Sequence, residues 1–249
     1  MHIKPNGFVV AFIFFSTLSS YNFYWLLSKY AFGKKISIPL FIKKNSSYLF
    51  LSMAAGAGMA GCLYFLPRLI GFVAIAIVLT LVYSLPIWPF KFAVLLRKTG
   101  FLKTTLLAFT WAYTTVIIPA ASLLHTETMA VISLMIARFF FVALLCIIFD
   151  RRDMKLDKML ALHSLATDVS RRTLQIIMML VFVLYIAAGL LVRYHFNDNA
   201  QLIAFLITGL MVGWVYRASF KKQDYLFYYF LVDGMMLFSA AATFVASVI

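Results

Sequence analysis

The fold turns on one stretch, 129-MAVISLMIARFFFVALLCIIF-149, followed directly by 150-DRRDMKLDK-158. The first part carries a single charge, Arg138, in a run long enough to cross the hydrocarbon of a bilayer, which takes about 20 mostly apolar residues. Lipid offers backbone N–H and C=O groups no partner, so a run of this kind reads as a helix that satisfies them internally. The strict polar–apolar alternation of a membrane β-strand is absent. The second part changes character within one residue, to alternating acids and bases, and marks where the chain leaves the apolar phase.

Working outward, comparable apolar runs occur near 8–28, 46–65, 69–88, 102–123, 173–193, 200–218 and 225–248. The sequence therefore predicts an all-α integral membrane bundle of eight transmembrane helices, a single polytopic membrane domain over 1–249. Composition agrees: 64% of residues are hydrophobic and 12% charged, against roughly 25% charged in soluble domains. The first run does not read as a signal peptide, because Lys4 alone forms its basic flank and polar and aromatic residues stand where a cleavage site belongs. Cys62 and Cys146 fall inside apolar runs without metal-ligand spacing and read as small buried hydrophobes.

The net charge of +14 does not point to nucleic acid, because its carriers sit in short loops between apolar runs. Lys29, Lys34, Lys35, Lys43 and Lys44 follow the first run. Lys91, Arg97, Lys98 and Lys103 follow the third. Arg151, Arg152, Lys155, Lys158, Arg171 and Arg172 follow the fifth, and Arg217, Lys221 and Lys222 the seventh. The intervening loops hold only Lys4, Arg68 and Arg193. Basic loops stay in the cytoplasm, so this alternation predicts cytoplasmic basic loops, both termini on the opposite side, and insertion in a membrane such as a bacterial inner membrane.

Smaller signals fill in the packing. Ser52, Gly56 and Ala60 recur every fourth residue, a spacing that lets a neighbouring helix approach closely. Tyr225, Tyr228 and Tyr229 gather at a span end and read as interface anchors. Arg138 and Asp233 are the two charges deepest in their runs, and a buried charge in a membrane seeks a partner. That predicts a pair between them, or separate neutral partners for each.

Four of the eight acidic residues, Asp150, Asp153, Asp157 and Asp168, follow the fifth run. If its helix continues, the first three fall within an arc of about 60° at 100° per residue. Two readings of that row stand. It is a solvated face paired with lysines and arginines of neighbouring loops, or it is a divalent-cation site beside a bound phosphate, since Mg²⁺ takes one or two carboxylates and completes its shell with water and phosphate oxygens.

At these residues the chain resembles the UbiA-type prenyltransferase superfamily, membrane enzymes that move an isoprenyl group from its diphosphate to an aromatic or other lipophilic acceptor. Asp150, Arg152, Asp153 and Asp157 match its second aspartate-rich motif, with Ala161 where glycine is usual and His163, Ser164 and Leu165 after it. Tyr83-Ser84-Leu85-Pro86, then Lys91, Arg97, Lys98 and Lys103 running into Trp111, Thr115 and Pro119, are similar to a second family stretch, and the segment from Tyr228 to Asp233-Gly234 to a third. The family's nine helices would become eight here without the first. Its first motif places an asparagine before two aspartates. Here Asn22 fits the asparagine, but Leu26 and Tyr30 stand at the aspartate positions.

The resemblance implies Mg²⁺ as cofactor, a polyprenyl diphosphate and a lipophilic acceptor as partners alongside membrane lipid, and no nucleic acid. It implies Asp153 and Asp157 as the catalytic pair, with Asp150 joining them as metal ligands. Asn22, Tyr83, Lys91, Lys103 and Arg152 would contact substrate, with Asn22 facing Asp153 and Asp157 across the cavity mouth. The lost half of the carboxylate set keeps a second reading open, a catalytically lapsed member that binds a polyprenyl lipid or a membrane partner. A small transporter is a third reading, for which only Arg138 and Asp233 offer polar groups along a path.

Overall fold

A computed structural model describes residues 6–32, 38–84, 100–159, 163–196, 198–221, 223–224 and 226–248. Every regular element among them is helical. The chain divides into two compact units, residues 3–87 and residues 88–249 with 1–2.

The N-terminal unit contains α1 (Gly7–Phe32), α2 (Ile38–Lys44), α3 (Ser46–Tyr64) and α4 (Ile70–Ser84), with a 3₁₀ turn at Pro67–Leu69 leading into α4. α1 packs on α3 along a seam of small residues. Ser19 and Ser52 each donate a side-chain hydroxyl to the other's carbonyl, at 3.1 and 3.2 Å. A methyl group added at Gly56 would lie 3.6 Å from the Ser19 hydroxyl, and one at Gly58 would press on the Phe15 ring at 3.0 Å. The buried face of α3 runs through Ser52, Ala55 and Cys62. Ala60 is exposed, so the seam follows the helical face and departs from the strict four-residue stripe after Gly56.

The C-terminal unit contains α5 (Gly100–Ala112), α6 (Thr128–Met159), the short α7 (Leu165–Asp168), α8 (Arg171–Phe196), α9 (Asn199–Ala218) and α10 (Asp233–Val248). α6 is the central helix. Phe141, Leu144, Leu145, Ile147 and Ile148 are buried on all sides of it because it packs against α5, α8, α9 and α10 or the turn that leads into α10. α8 shows how such a bundle meets its surroundings. Leu174, Met178, Tyr185, Ala188 and Val192 face the protein and are buried, whereas Ile176, Met179, Leu180 and Val183 on the other side are exposed and equally apolar. A surface this apolar suits lipid and would aggregate in water. Tyr185 fits against Gly209, where an added methyl would touch its ring at 3.0 Å, and its hydroxyl donates to the Phe205 carbonyl at 3.0 Å.

Six of the described helices are long and apolar enough to cross a membrane: Gly7–Leu26, Ser46–Tyr64, Thr128–Lys155, Arg171–Phe196, Asn199–Ala218 and Phe227–Val248. The chain is thus all-helical with the make-up of an integral membrane protein. The third and fourth runs form shorter elements. Pro67–Val82 is a short apolar helix, and residues 85–99, which hold the end of that expected run (85–88) and the basic loop after it, lie outside the described residues. The fourth run is α5 followed by a π turn, Tyr113–Ile117, and a 3₁₀ turn, Ala121–Leu123. Pro119 has no N–H to continue the helical ladder. The widened turn before it lets the Ile118 N–H reach back to Tyr113 at 3.4 Å, and Thr110, Thr114 and Thr115 return their hydroxyls to carbonyls of the preceding turn.

Within the C-terminal unit successive long helices run in opposite directions. Arg138 meets Ser239 and Gln201 meets Thr243 towards one end, while Arg151 meets Tyr216 and Arg152 meets Tyr228 towards the other. Arg151, Arg152, Arg171 and Arg217 therefore collect at one end of this unit, the basic end.

Candidate functional site

α6 does continue through the acidic run, as far as Met159, so Asp150, Asp153 and Asp157 share one helix face. Their neighbours differ. Asp150 accepts the Thr104 hydroxyl at 2.7 Å, faces the Leu165 backbone N–H and lies within the field of Lys103. Lys103, expected at substrate, is an exposed neighbour of this carboxylate. Asp153 is held by the guanidinium of the preceding residue, with Arg152 Nε and Nη2 each donating at 2.7 Å to one of its two oxygens. Asp157 has no ion-pair partner among the described residues.

Below Asp150 lies a polar clasp that joins α5, α6 and α7. Thr104 also donates to the Gly100 carbonyl at 3.1 Å, and the Gly100 N–H donates to Asp168 at 2.7 Å. His163 meets the other Asp168 oxygen at 2.7 Å, and Ser164 and Thr167 close a capping box at the start of α7. Burial pushes the Asp168 carboxyl up, but the Gly100 N–H, His163 and Thr167 outweigh it and hold the group below its ordinary value. Only glycine fits at position 100, because an added methyl would sit 2.0 Å from the Ser164 carbonyl carbon. His163 and Ser164, which follow the acidic motif in sequence, serve this clasp.

On the far side of α6 the arginines enter an aromatic pocket. The Arg151 guanidinium lies over the Phe220 ring at 3.4 Å and near Tyr216 at 5.8 Å, with Arg171 on the same Phe220 ring at 5.7 Å. Arg152 lies between Phe149, Tyr229 and Tyr228 at 4.9, 5.1 and 5.4 Å. Nη1 of both Arg151 and Arg152 is buried with no hydrogen-bond acceptor among the described residues. A buried donor left unsatisfied costs about 1–3 kcal/mol, more when charged.

Tyr228 is buried in this pocket and is not the interface anchor its place at a span end suggested. Asp233 lies within the field of Arg152, so the expected pair with Arg138 does not form. The two residues sit at different depths of the bundle, and Arg138 donates to Ser239 at 3.3 Å. In the sequence Arg151 read as one more basic-loop cation, and Tyr216 and Phe220 were not singled out. Their i, i+4 spacing beside a second arginine-bearing helix end was the available signal.

Among the described residues no three His, Cys, Asp or Glu side chains converge as a metal site. Asp150 is turned to Thr104 and Asp153 is occupied by Arg152, so the carboxylate row on the helix does not become a cage. Asp157 has no ion-pair partner among the described residues, and Asp153, one turn away, is engaged by Arg152, so a Mg²⁺ held by both would require that fork to open. Asn22 donates its side-chain amide to the Leu18 carbonyl of its own helix at 2.7 Å. Leu26 is buried in the N-terminal unit and Tyr30 stacks edge-on with Phe41. Tyr83 belongs to α4, and Lys91 lies outside the described residues.

Comparison with known protein families, with curated proteins and with solved structures gives no match. What fold and site define is a class: an all-helical membrane protein with an arginine–aromatic pocket beside an acidic helix face.

Proposed function

We propose that the chain is a membrane prenyltransferase-like protein that takes an isoprenyl diphosphate at its basic end. The observation that carries this reading is the pair of buried Nη1 atoms of Arg151 and Arg152 with no acceptor among the described residues, Arg152 also forking Asp153. Guanidinium groups match phosphate oxygens in a planar fork, and the rings of Phe220 and Tyr228 flank the two side chains. With the basic loops cytoplasmic and eight spans in all, the pocket lies at the cytoplasmic surface, where a diphosphate head meets water and its tail enters lipid.

Bound Mg²⁺ would supply Lewis-acid stabilisation of the departing diphosphate, held by Asp157 and, once Arg152 turns from it to the phosphate, by Asp153. The chain's own part is to grip the diphosphate oxygens through Arg151 and Arg152. As an allylic diphosphate ionises, the C–O electron pair stays on the diphosphate, and the acceptor attacks the allylic carbon and then loses its proton to solvent. A second reading, binding without turnover, is favoured by the fork of Arg152 on Asp153 and by Leu26 and Tyr30 in place of carboxylates.

Purified protein in nanodiscs should bind farnesyl diphosphate more tightly with Mg²⁺ than with a chelator. Arg151→Gln should weaken binding about tenfold or more, the loss of one charge-assisted hydrogen bond. Asp157→Asn should abolish the Mg²⁺ dependence, and Asp198→Asn should change nothing. Labelled prenyl transfer to a lipophilic acceptor separates the enzyme from the lapsed binder. Binding indifferent to both Arg151 and Mg²⁺ ends the proposal.

A further inference from the structure

At the opposite end of the C-terminal unit lies a cavity of about 410 Å³ between α6, α8, α9, α10 and the π turn after α5. It belongs to no part of the basic-end pocket, since Arg138, at its wall, precedes Asp150 by twelve residues of α6, about 18 Å of helix. Arg138 has five N–H donors. One reaches the Ser239 hydroxyl at 3.3 Å, and the guanidinium rests 5.0 Å over the Phe141 ring. Among the described residues nothing acidic lines the space; Glu127, just before α6, is exposed and not part of the wall. Asp150, Asp153, Asp157 and Asp168 belong to the other end, Asp233 faces Arg152, and Asp198 caps α9 by accepting the Gln201 N–H.

A cation inside a membrane helix is expensive, and by default it marks a functional site or is paired. Here the only side chain hydrogen-bonded to it among the described residues is a neutral hydroxyl. The neighbouring polar groups are committed elsewhere: Gln201 donates its amide to the Thr243 carbonyl at 3.0 Å, and Thr243 returns its hydroxyl to Ser239 at 3.0 Å. The hydroxyls of Thr115, Tyr185 and Ser247 go to backbone carbonyls, and the rest of the wall is apolar, including Phe196 and Phe205. A free inorganic anion would satisfy Arg138 but leave that wall wet, and a neutral lipid would satisfy the wall but not Arg138.

We infer that this cavity binds an amphiphilic anion, a carboxylate or phosphate head on Arg138 and Ser239 with its apolar tail along the phenylalanine wall. The volume lies in the usual range for small-molecule sites, about 300–1,000 Å³, enough for a headgroup and the first part of an acyl or prenyl chain. The site faces the end of this unit away from the basic loops, so its ligand arrives separately from any diphosphate at Arg151 and Arg152.

The test is equilibrium binding of labelled oleate to the full chain in nanodiscs of phosphatidylcholine, with empty nanodiscs as blank. Saturable binding is expected, displaced by unlabelled oleate and by dodecyl phosphate, but not by oleyl alcohol or inorganic phosphate. Arg138→Gln should lower the affinity about tenfold or more. Should that variant fail to fold, Ala240→Phe, which fills the cavity from its wall and leaves Arg138 intact, must lower it as much, with helicity unchanged by circular dichroism. Equal displacement by oleyl alcohol would reduce the site to an apolar slot. Equal displacement by inorganic phosphate would make it a free-ion site. Either result, no saturable binding, or an Ala240→Phe variant that binds as before overturns the inference. Farnesyl diphosphate binding at the basic end should be unaffected by Ala240→Phe, which keeps the two sites distinguishable.

Discussion

At the scale of single residues, the acidic motif is less a row of equivalent ligands than four carboxylates with four different employments. Thr104 and the start of α7 take Asp150, Arg152 takes Asp153, the clasp takes Asp168, and Asp157 alone remains with neither a hydrogen bond nor an ion pair among the described residues. Asp168 offers a direct measurement. Its carboxyl is held below its ordinary value, so the ionised form is the one the fold prefers. The stability it contributes is fully present above the unfolded pKa of about 3.9 and is lost as pH falls through the lower folded value. Unfolding midpoints of the wild type and Asp168→Asn should therefore differ at pH 6–7 and converge as the pH drops below about 4. A difference that persists unchanged into acid would show that the carboxylate's charge is not what ties Gly100 and His163 together.

At the scale of elements, two helices were legible in outline and one was not. The seam of α1 on α3 was announced by Ser52 and Gly56, and the structure places a reciprocal serine pair and two glycine contacts along it. Replacing Gly58 by Val should destabilise the N-terminal unit by about 1–3 kcal/mol, the usual cost of overpacking, because the Phe15 ring is already at 3.0 Å from an added methyl. Ala60→Val, on the exposed side of the same helix, should fall within about 0.5 kcal/mol of wild type. Unfolding in mixed detergent reads both, and equal effects would refute the seam. The fourth apolar run could not be read as a π turn and a 3₁₀ turn from hydropathy, since hydropathy does not register the missing N–H of Pro119 until a neighbouring geometry has to absorb it.

At the scale of the whole molecule, the charge alternation makes a claim that can be checked loop by loop. Reporters fused after Lys44, Lys98, Arg172 and Lys222 should read cytoplasmic, and those after Arg68, Thr126 and Asn199, and at the C-terminus, should read opposite. A cytoplasmic reading after Thr126 would remove the fourth crossing, the one that is a shorter, broken helix. Within the C-terminal unit the gathering of Arg151, Arg152, Arg171 and Arg217 at one end agrees with the order of the loops.

The sequence by itself determined the material and its gross arrangement: apolar helices in lipid, a basic end, an acidic helix face, and a lone arginine in a membrane run. These follow from composition and period, which act residue by residue and survive any packing. Only the tertiary structure decided which charges meet. Arg152 turns back on Asp153, Asp233 comes to Arg152 and not to Arg138, Tyr228 leaves the interface for a pocket, and Arg138 opens onto a cavity without an acid. Pairing depends on helix rotation and depth, a difference of a few ångströms between neighbours distant in the chain, and no local pattern along a single helix encodes that distance.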